Sequence, residues 1–446
     1  MLERHFRLAA HGTDVRTELL AGVTTFLTMA YVVFVQPAVL STDLMGKPTG
    51  LDFGAVLVAT CVGSAFASIF MGLYARYPIA LAPGMGENFF FVTVVMGLLA
   101  LGVPDPWQTA LGMVFLSGLA FILLTLLRVR EALLDAISPS MRNGIAAGIG
   151  LFIAFIGLRN GGLIVGKPGT LIGLNSELRS VEIGVFVAGL LTTTTLLVRR
   201  VRGALLWGIL AGAVAAFAAG KVVLTGIVGF PEVRQNAVFA MDVAGALRPE
   251  LAPFIIVFLF MGLFDTVGTL VGVSEQAGLL EDGRLPRANR ALLADATGIT
   301  VGACLGTSTI TCYVESAAGV AAGGRTGLTA VVTGLLFLLT LLFGPLVRAI
   351  GGYPPITASA LVLVGVMMLQ NARKVAWDDP SEAVPVFLTI VGIPLSYSIA
   401  DGLALGFVSY PIVKLLGGRG RDVRWLAYVM AALLLAYFLA VRHRLG

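Results

Sequence analysis

The stretch GTSTITCYVESAAGVAAGG, which runs from Gly306 to Gly324, decides the fold of this chain. It lies among long apolar segments, yet a helix of about 20 apolar residues, the length that spans a bilayer, cannot be drawn through it. Thr307–Cys312 is rich in β-branched and hydroxyl residues, which predicts a short strand. From Tyr313 the sequence is dense in Ala and Gly, which predicts a short helix with Glu315 near its N-terminus. A broken segment with a carboxylate at membrane depth is typical of the substrate site of a transporter.

The composition indicates a membrane protein. Of the 446 residues, 57% are hydrophobic and only 12% are charged, whereas soluble domains carry about 25% charged residues. The net charge of +5 does not indicate a nucleic-acid partner, because the basic residues lie in short gaps between apolar runs, as the positive-inside rule requires. Cys61, Cys304 and Cys312 lack metal-ligand spacing, so we expect no disulfide, metal or other cofactor.

Fourteen apolar segments follow one another in two sets of seven, separated by a polar gap from Lys221 to Glu250. The first set covers about 17–40, 52–74, 84–101, 108–127, 143–158, 182–198 and 203–220. The second set covers about 252–274, 291–304, 313–322, 327–349, 356–370, 383–399 and 402–416. A further apolar run at 425–441 is either a fifteenth crossing or an interfacial helix.

The two sets are interpreted as inverted repeats. Segment 3 opens with YPIALAPGMGENFFF (Tyr77–Phe91), which predicts an extended stretch, a Pro-Gly break and a short helix with Glu87 and Asn88. Segment 10 follows the same plan, with Glu315 in the corresponding place. Broken segments at matching positions of two halves are typical of transporters. An odd number of crossings in each half reverses the orientation of the second half.

Most Lys and Arg residues outside the apolar segments fall in loops on one side if the N-terminus is cytoplasmic. This asymmetry predicts the orientation. The last two basic residues, Arg442 and Arg444, follow the extra run.

Asp265 and Glu315 are the first candidates for the substrate site. Asp265 lies about eleven residues into segment 8, near mid-depth, where a carboxylate is costly unless it is paired, protonated or open to water. Glu315 lies in the first turn of a short helix, where the backbone N–H groups favour negative charge. Asp265 could instead be a structural acid bonded to a neighbouring helix, and Glu315 could merely cap its own helix. Their convergence with polar residues of segment 3 favours function.

Asn88 and Glu87 hold the equivalent place in segment 3. Asn88 both donates and accepts hydrogen bonds, which suits the edge of a heterocycle. Adjacent helical residues point about 100° apart, so we do not expect Glu87 and Asn88 to contact one ligand together.

Four further residues are singled out. Phe89 and Phe26 are candidates for stacking against a ligand ring, although packing or lipid contact is the commoner role of such rings. Asp295, within segment 9, either holds the two broken segments together or relays protons. Asp401 is predicted in the turn that joins segments 13 and 14.

The polar groups near mid-depth are acids and amides without a basic partner. This pattern disfavours an anionic substrate and favours a cation or a neutral planar solute with several N–H donors. An acid removed from water can also exchange a proton in step with substrate binding.

At these residues the chain resembles the nucleobase:cation symporter-2 (xanthine/uracil permease) family, in its azaguanine-type branch of hypoxanthine/adenine/guanine permeases. The stretches that carry the resemblance span nearly the whole chain: AGVTTFLTMAYVVFVQP (21–37), ALAPGMGENFFF (80–91), GIAAGIGLFIAFIGLRNGGLIV (144–165), LFDTVGTLVGV (263–273), GTSTITCYVESAAGVAAGGRTGLTAV (306–331) and PLSYSIADGLALGFVSY (394–410).

The resemblance implies an all-α polytopic fold of 14 segments, in which segments 3 and 10 each contain a short strand and a half-helix. A core domain (1–130 and 250–350) would move against a gate domain (131–249 and 351–446) in an elevator-type cycle with proton symport. Homodimers are frequent in the family. By position, the resemblance implies that Asp265 and Glu315 bind the purine and that Asn88 has a role in transport. It also implies that Phe89 and the backbone of Thr311, Tyr313 and Val314 line the site. The acids expected to take part in proton coupling are Asp265, Glu315, Asp295 and Glu87.

One departure from the branch bears on the substrate. Where the branch usually reads GMGLNAYF, this chain reads GMGENFFF at 84–91. The extra acid and the larger rings change the size and polarity of the pocket, so the preferred purine stays open, as does H⁺ against Na⁺ as the coupling ion.

We therefore expect a proton-coupled importer of purine bases in a bacterial inner membrane. A uracil or xanthine carrier on the same scaffold is the alternative within the class, and an uncoupled facilitator is the alternative outside it. A membrane enzyme is disfavoured, because the sequence has no metal cluster, nucleophile elbow or cofactor motif.

Overall fold

The computed structural model describes residues 2–43, 46–127, 138–167, 169, 171–279 and 285–437, and helices dominate it. The elements of the first half are α1 (Leu2–Phe6), α2 (Val15–Met29), α3 (Val32–Ser41), α4 (Phe53–Phe70), β1 (Leu81–Pro83), α5 (Met85–Ala100), α6 (Pro106–Leu126), α7 (Pro139–Asn160), β2 (Ile164–Lys167), β3 (Leu171–Leu174), α8 (Val181–Val198) and α9 (Ala204–Ala218). Those of the second half are α10 (Val243–Ala246), α11 (Ala252–Gln276), α12 (Ala288–Leu305), β4 (Ile310–Cys312), α13 (Ser316–Ala321), α14 (Gly327–Thr340), α15 (Gly344–Gly351), α16 (Pro354–Leu369), α17 (Pro380–Ser396), α18 (Ile399–Leu416) and α19 (Trp425–Tyr437).

The lengths and compositions of these helices fit a membrane. Within the described residues, eight helical stretches are long and apolar enough to cross a bilayer, and five further apolar helices have 10–17 residues. The polytopic helical fold is thus confirmed, while the count of fourteen crossings stays a prediction. The run at 425–441 contains α19; its last residues, 438–441, and Arg442 and Arg444 lie outside the described part of the chain.

The two broken segments meet through their strands. β1 and β4 pair antiparallel, with Leu81 opposite Cys312 and Pro83 opposite Ile310. Beyond the strands, the N–H of Gly84 donates to the carbonyl of Thr309 and the N–H of Tyr313 donates to the carbonyl of Ala80, each at 3.0 Å. The strand predicted over Thr307–Cys312 is therefore shorter. The helix predicted to begin at Tyr313 begins at Ser316, because strand pairing holds the N–H of Tyr313.

Two serines satisfy backbone groups at the edge of this strand pair. The hydroxyl of Ser68 accepts from the N–H of Leu81 at 2.9 Å and donates to its carbonyl at 3.0 Å. The hydroxyl of Ser316 accepts from the N–H of Ala80 at 3.0 Å. Buried backbone groups have no water to bond in a membrane, so these side chains allow extended backbone to persist there.

The helices around the strands pack in two groups. α14 packs against α2 and α4, and α12 packs against α4 and α6. β1 lies against α4, and β4 lies against α11 and α12. In the other group, α16 packs against α7 and α8, α17 packs against α7 and α18, and α8 pairs with α9.

Segment 11, predicted as one run over 327–349, is broken into α14 and α15. At this break the chain bonds the polar gap between the two sets of segments: the N–H of Gly229 donates to the carbonyl of Leu342 at 2.7 Å, and the N–H of Gly344 donates to the carbonyl of Gly229 at 2.9 Å. Pro345 then occupies the first turn of α15, where its missing N–H is tolerated.

The predicted position of Asp401 in a turn is wrong. α17 ends at Ser396, and Tyr397 follows in the left-handed conformation with φ of 55°. Ser398 is the N-cap of α18 and accepts from the N–H of Asp401 at 3.2 Å. Because a serine can cap the helix three residues earlier, Asp401 is buried in its first turn.

Candidate functional site

Asp265 lies on an open face in the middle of α11. Its Oδ2 accepts a hydrogen bond from the Thr311 hydroxyl of β4 at 3.0 Å, and its side chain is nevertheless exposed. Gly268 and Gly272, on the same helical face, are also exposed, and a Cβ placed on either would meet no atom within 4 Å. The face that runs from Asp265 towards the end of α11 is therefore uncovered by other side chains.

Glu315 is the N-cap residue of α13, but its side chain makes no capping hydrogen bond. The interpretation of Glu315 as a mere cap of its own helix is therefore wrong. Its Oε1 accepts from the hydroxyl of Tyr31 at 2.9 Å, and its carbonyl accepts from the hydroxyl of Thr28 at 3.3 Å. Glu315 is half-buried, and among the described residues the Tyr31 hydroxyl is the one side-chain donor to its carboxylate.

Tyr31 was not among the residues selected from the sequence. It is buried, with 1% of its surface exposed, and lies between α2 and α3, where the first predicted segment breaks. Neither Gly nor Pro marks this break in the sequence FLTMAYVVFV (26–35). The one available signal was a phenol in the middle of an apolar run, where its hydroxyl needs a partner.

Two residues between β4 and α13, Tyr313 and Val314, have different surroundings. The hydroxyl of Tyr313 donates to the carbonyl of Pro83 at 2.5 Å and so ties the end of β1 to the site. Val314 is 58% exposed beside Glu315. Of these two predicted lining residues, Val314 faces open space and Tyr313 is buried.

Asn88 belongs to a buried amide–hydroxyl network. Its Oδ1 accepts a hydrogen bond from the hydroxyl of Ser308. The Nε2 of Gln36 donates to the hydroxyls of Thr307 and Ser308, both at 3.0 Å. Asn88 thus joins the start of α5 to the strand segment of the other half. Gln36, an amide in the apolar stretch VVFVQPAVL (32–40), is a network member that the sequence analysis missed.

Glu87 points in a different direction from Asn88. A Cβ placed on Gly84 would collide with Oε2 of Glu87 and would lie 3.0 Å from the hydroxyl oxygen of Thr311. Glu87 therefore lies beside Thr311, the residue that holds Asp265. The divergence of Glu87 and Asn88, expected from helical geometry, is confirmed.

Asp295 lies on the opposite side of β4 from Asp265. Its Oδ1 accepts from the thiol of Cys312 at 3.6 Å, whereas its Oδ2 has no hydrogen-bond partner among the described residues. Successive strand residues point to opposite faces, so Thr311 contacts Asp265 and Cys312 contacts Asp295. One short strand therefore connects both acids.

The two aromatic candidates contact other rings. Phe89 is 1% exposed and meets Phe152 of α7 edge-on, with the centroids 6.0 Å apart. Phe26 is half-buried and meets Phe337 of α14 edge-on at 5.3 Å. Phe89 offers no open face in this conformation, and the stacking role of both residues stays a prediction.

Comparison with known proteins identifies relatives along the whole chain. A model described as the permease family, that of the xanthine/uracil permeases, matches residues 16–405. The adenine permease AdeQ of Escherichia coli is 44% identical over 97% of this chain and 95% of its own length. The guanine/hypoxanthine permease PbuG of Bacillus subtilis is 43% identical over 99% of this chain and 100% of its own length.

Two solved structures share the fold at low sequence identity. The transmembrane domain of the cyanobacterial bicarbonate transporter BicA superposes with a TM-score of 0.66 at 15% identity, covering 88% of this chain and 97% of that domain. The structure of SLC26A9 superposes with a TM-score of 0.62 at 11% identity, covering 92% of this chain and 68% of that one. This likeness concerns architecture alone.

Proposed function

We propose that this chain, which belongs to the xanthine/uracil permease family, imports purine nucleobases together with protons. The observation that carries the proposal is the pair of carboxylates at the broken segments. Asp265 and Glu315 are held by hydroxyl groups of Thr311 and Tyr31, and neither belongs to an ion pair among the described residues. Their remaining acceptor capacity is available to a ligand.

Purine bases match these acceptors. A carboxylate accepts hydrogen bonds and donates none, so two carboxylates select a solute that presents N–H groups. Gly268 and Gly272 of α11 and Val314 beside Glu315 are all exposed, which in this proposal leaves both acids accessible to such a solute. The substrates named for the relatives AdeQ and PbuG, adenine and guanine or hypoxanthine, support this choice.

Proton coupling follows from the cost of burying charge. A carboxylate inside a membrane protein without a cation is costly unless it binds a proton or a ligand donor. We assign the transported proton to Asp265 and Glu315, with Asp295 and Glu87 as further members of the same acidic group. The proton then neutralises a carboxylate of the site while the N–H groups of the substrate fill the remaining acceptors, and the less charged, satisfied site moves across the membrane more easily than the empty charged one.

The proposed cycle is an elevator motion of a core domain (1–130 and 250–350) against a gate domain (131–249 and 351–446). The two groups of helices described above support this division, since most packing lies within each group. Fourteen crossings as two inverted repeats, a cytoplasmic N-terminus and a location in the plasma membrane belong to the same proposal.

Uptake by purified protein in liposomes tests the function. With an inward proton gradient, we expect labelled adenine, guanine or hypoxanthine to accumulate above its external concentration, and a protonophore to abolish this accumulation. Equilibration without accumulation would identify an uncoupled facilitator. Accumulation of uracil or xanthine alone would assign the alternative substrates.

A further inference from the structure

We propose that Glu87 is a specificity-determining residue, a third carboxylate of the substrate site that selects purines with an exocyclic amino group. This inference rests on the proposed function and adds a substrate preference to it. It concerns the acid of the stretch GMGENFFF (84–91), which opens α5 directly after the strand β1.

The geometry places Glu87 at the site. Glu87 is only 4% exposed, and its Oε2 lies next to Gly84 and near the hydroxyl of Thr311. That hydroxyl donates to Asp265 at 3.0 Å. Glu87 and Asp265 therefore both lie near the same hydroxyl, that of Thr311 in β4.

The Glu87 carboxylate has unused acceptor capacity. Within the part of the chain that the structure describes, no other residue donates a hydrogen bond to it, and only its own backbone N–H faces it. A buried carboxylate without donors is costly, whereas one that accepts a charge-assisted hydrogen bond is stabilised. A ligand that brings an additional N–H group satisfies this requirement.

The chemistry of the purines then decides the preference. Guanine carries an amino group where hypoxanthine carries a C–H, and adenine carries an amino group where hypoxanthine carries a carbonyl oxygen. A C–H leaves the carboxylate unpaired, and a carbonyl oxygen repels it. Sites built around a donor reject analogues that lack it, because their polar groups are then left buried and unpaired.

Binding of adenine, guanine and hypoxanthine to the detergent-purified protein tests this inference. The variants are Glu87→Leu, which removes the carboxylate and keeps an apolar side chain of similar size, and Glu87→Gln, which keeps the shape and removes the charge. Glu177→Leu is the matched control, because it replaces an exposed acid in the loop between β3 and α8. The melting temperature of each variant without ligand reports on folding.

We expect the wild type to bind an amino-bearing purine about tenfold or more tightly than hypoxanthine, as one charge-assisted hydrogen bond allows. Glu87→Leu should remove most of this ratio, Glu87→Gln should reduce it and Glu177→Leu should keep it. An unchanged ratio in Glu87→Leu overturns the inference and leaves the proposed function intact; if that variant does not fold, the ratio in Glu87→Gln decides in the same way. A wild type that binds no purine overturns the proposed function, and the inference with it.

Discussion

Glu18 and Glu315 are both glutamates at the N-terminus of a helix, yet their surroundings differ. Glu18 is buried and accepts from the N–H groups of Arg325, Thr326 and Thr329, at 2.8, 3.1 and 3.2 Å, and from the hydroxyl of Thr329 at 2.6 Å. Among the described residues, Tyr31 is the one side chain that donates a hydrogen bond to the Glu315 carboxylate, and the backbone N–H of Glu315 also faces it. A carboxylate whose lone pairs are filled holds the fold together, whereas one with free lone pairs can bind a ligand or a proton.

A third environment is the ion-paired cluster at the ends of α17 and α18. Lys414, only 2% exposed, lies 2.7 Å from Glu382 and 3.9 Å from Asp379. The hydroxyl of Ser138 donates to Glu382 at 2.6 Å, and Arg419 pairs with Asp379 at 2.7 Å. Here cations neutralise the acids, so this cluster joins helices and has no free charge to offer a substrate.

The largest expected effect is on substrate affinity, and it comes from Glu315, whose carboxylate has acceptor capacity left for a ligand. In Glu315→Gln, one carboxylate oxygen becomes an amide N–H₂, which cannot accept from a purine N–H. We expect the affinity for the preferred base to fall at least about a hundredfold, because charge-assisted hydrogen bonds are lost. The melting temperature without ligand should change little. Calorimetric titration and thermal unfolding measure the two quantities, and an unchanged affinity would remove Glu315 from the site.

The same substitution at Glu18, whose carboxylate already accepts four hydrogen bonds, should lower the stability of the protein and leave its substrate affinity unchanged. Glu18→Gln leaves donors of the first turn of α14 without an acceptor, so we expect a loss of about 2 kcal/mol or more in the stability of the folded protein. The affinity of the protein that remains folded should stay at the wild-type value. Thermal unfolding shows the first effect, and titration of the folded fraction shows the second. Loss of affinity without loss of stability would contradict the comparison.

Tyr31→Phe removes the side-chain donor that the described part of the chain supplies to Glu315, and it leaves the ring in place. We expect roughly tenfold weaker binding or slower uptake, because a hydrogen bond to a charged group contributes about 1.5–3 kcal/mol. Thr28→Val is a suitable control, since Thr28 bonds the backbone carbonyl of Glu315 instead of its carboxylate. Equal effects of the two variants would mean that Tyr31 acts through packing alone.

The smallest effect is expected in the ion-paired cluster, as a dependence of stability on pH. Hydrogen bonds from the Ser381 hydroxyl and from Arg419 hold the pKa of Asp379 at about 2. A carboxyl whose pKa is lowered on folding stabilises the folded state above its unfolded pKa, near 3.9, and this stabilisation is lost as the pH falls towards 2. In Asp379→Asn, the free energy of unfolding should therefore depend less on pH in that window than it does in the wild type. The same pH dependence of stability in the variant and the wild type would show that solvent screens the pair of Asp379 and Arg419.

Much of this arrangement was accessible from the sequence. Hydropathy predicted a polytopic membrane protein, and the two interrupted segments predicted short strands, which the structure contains as β1 and β4. Asp265 and Glu315 were selected because a carboxylate in an apolar segment is costly and requires a reason. The membrane class and the broken segments were accessible because hydropathy and helix length are local properties of a stretch of chain, whereas the roles of the two acids stay predictions.

The sequence did not reveal how the acids are partnered. Tyr31 and Glu315 are separated by 284 residues, and Glu18 lies 311 residues from Thr329. The hydrogen bonds at the break of segment 11 likewise involve Gly229, a residue of the polar gap between the two sets of segments. Such pairings are absent from any window of sequence, because they arise only when distant segments pack. The sequence alone therefore determined the membrane class, the broken segments and the candidate acids. Only the tertiary structure decided that the acceptors of the Glu18 carboxylate are all hydrogen-bonded while those of Glu315 are not. The reason is that donors from distant helices set the number of hydrogen bonds at each carboxylate.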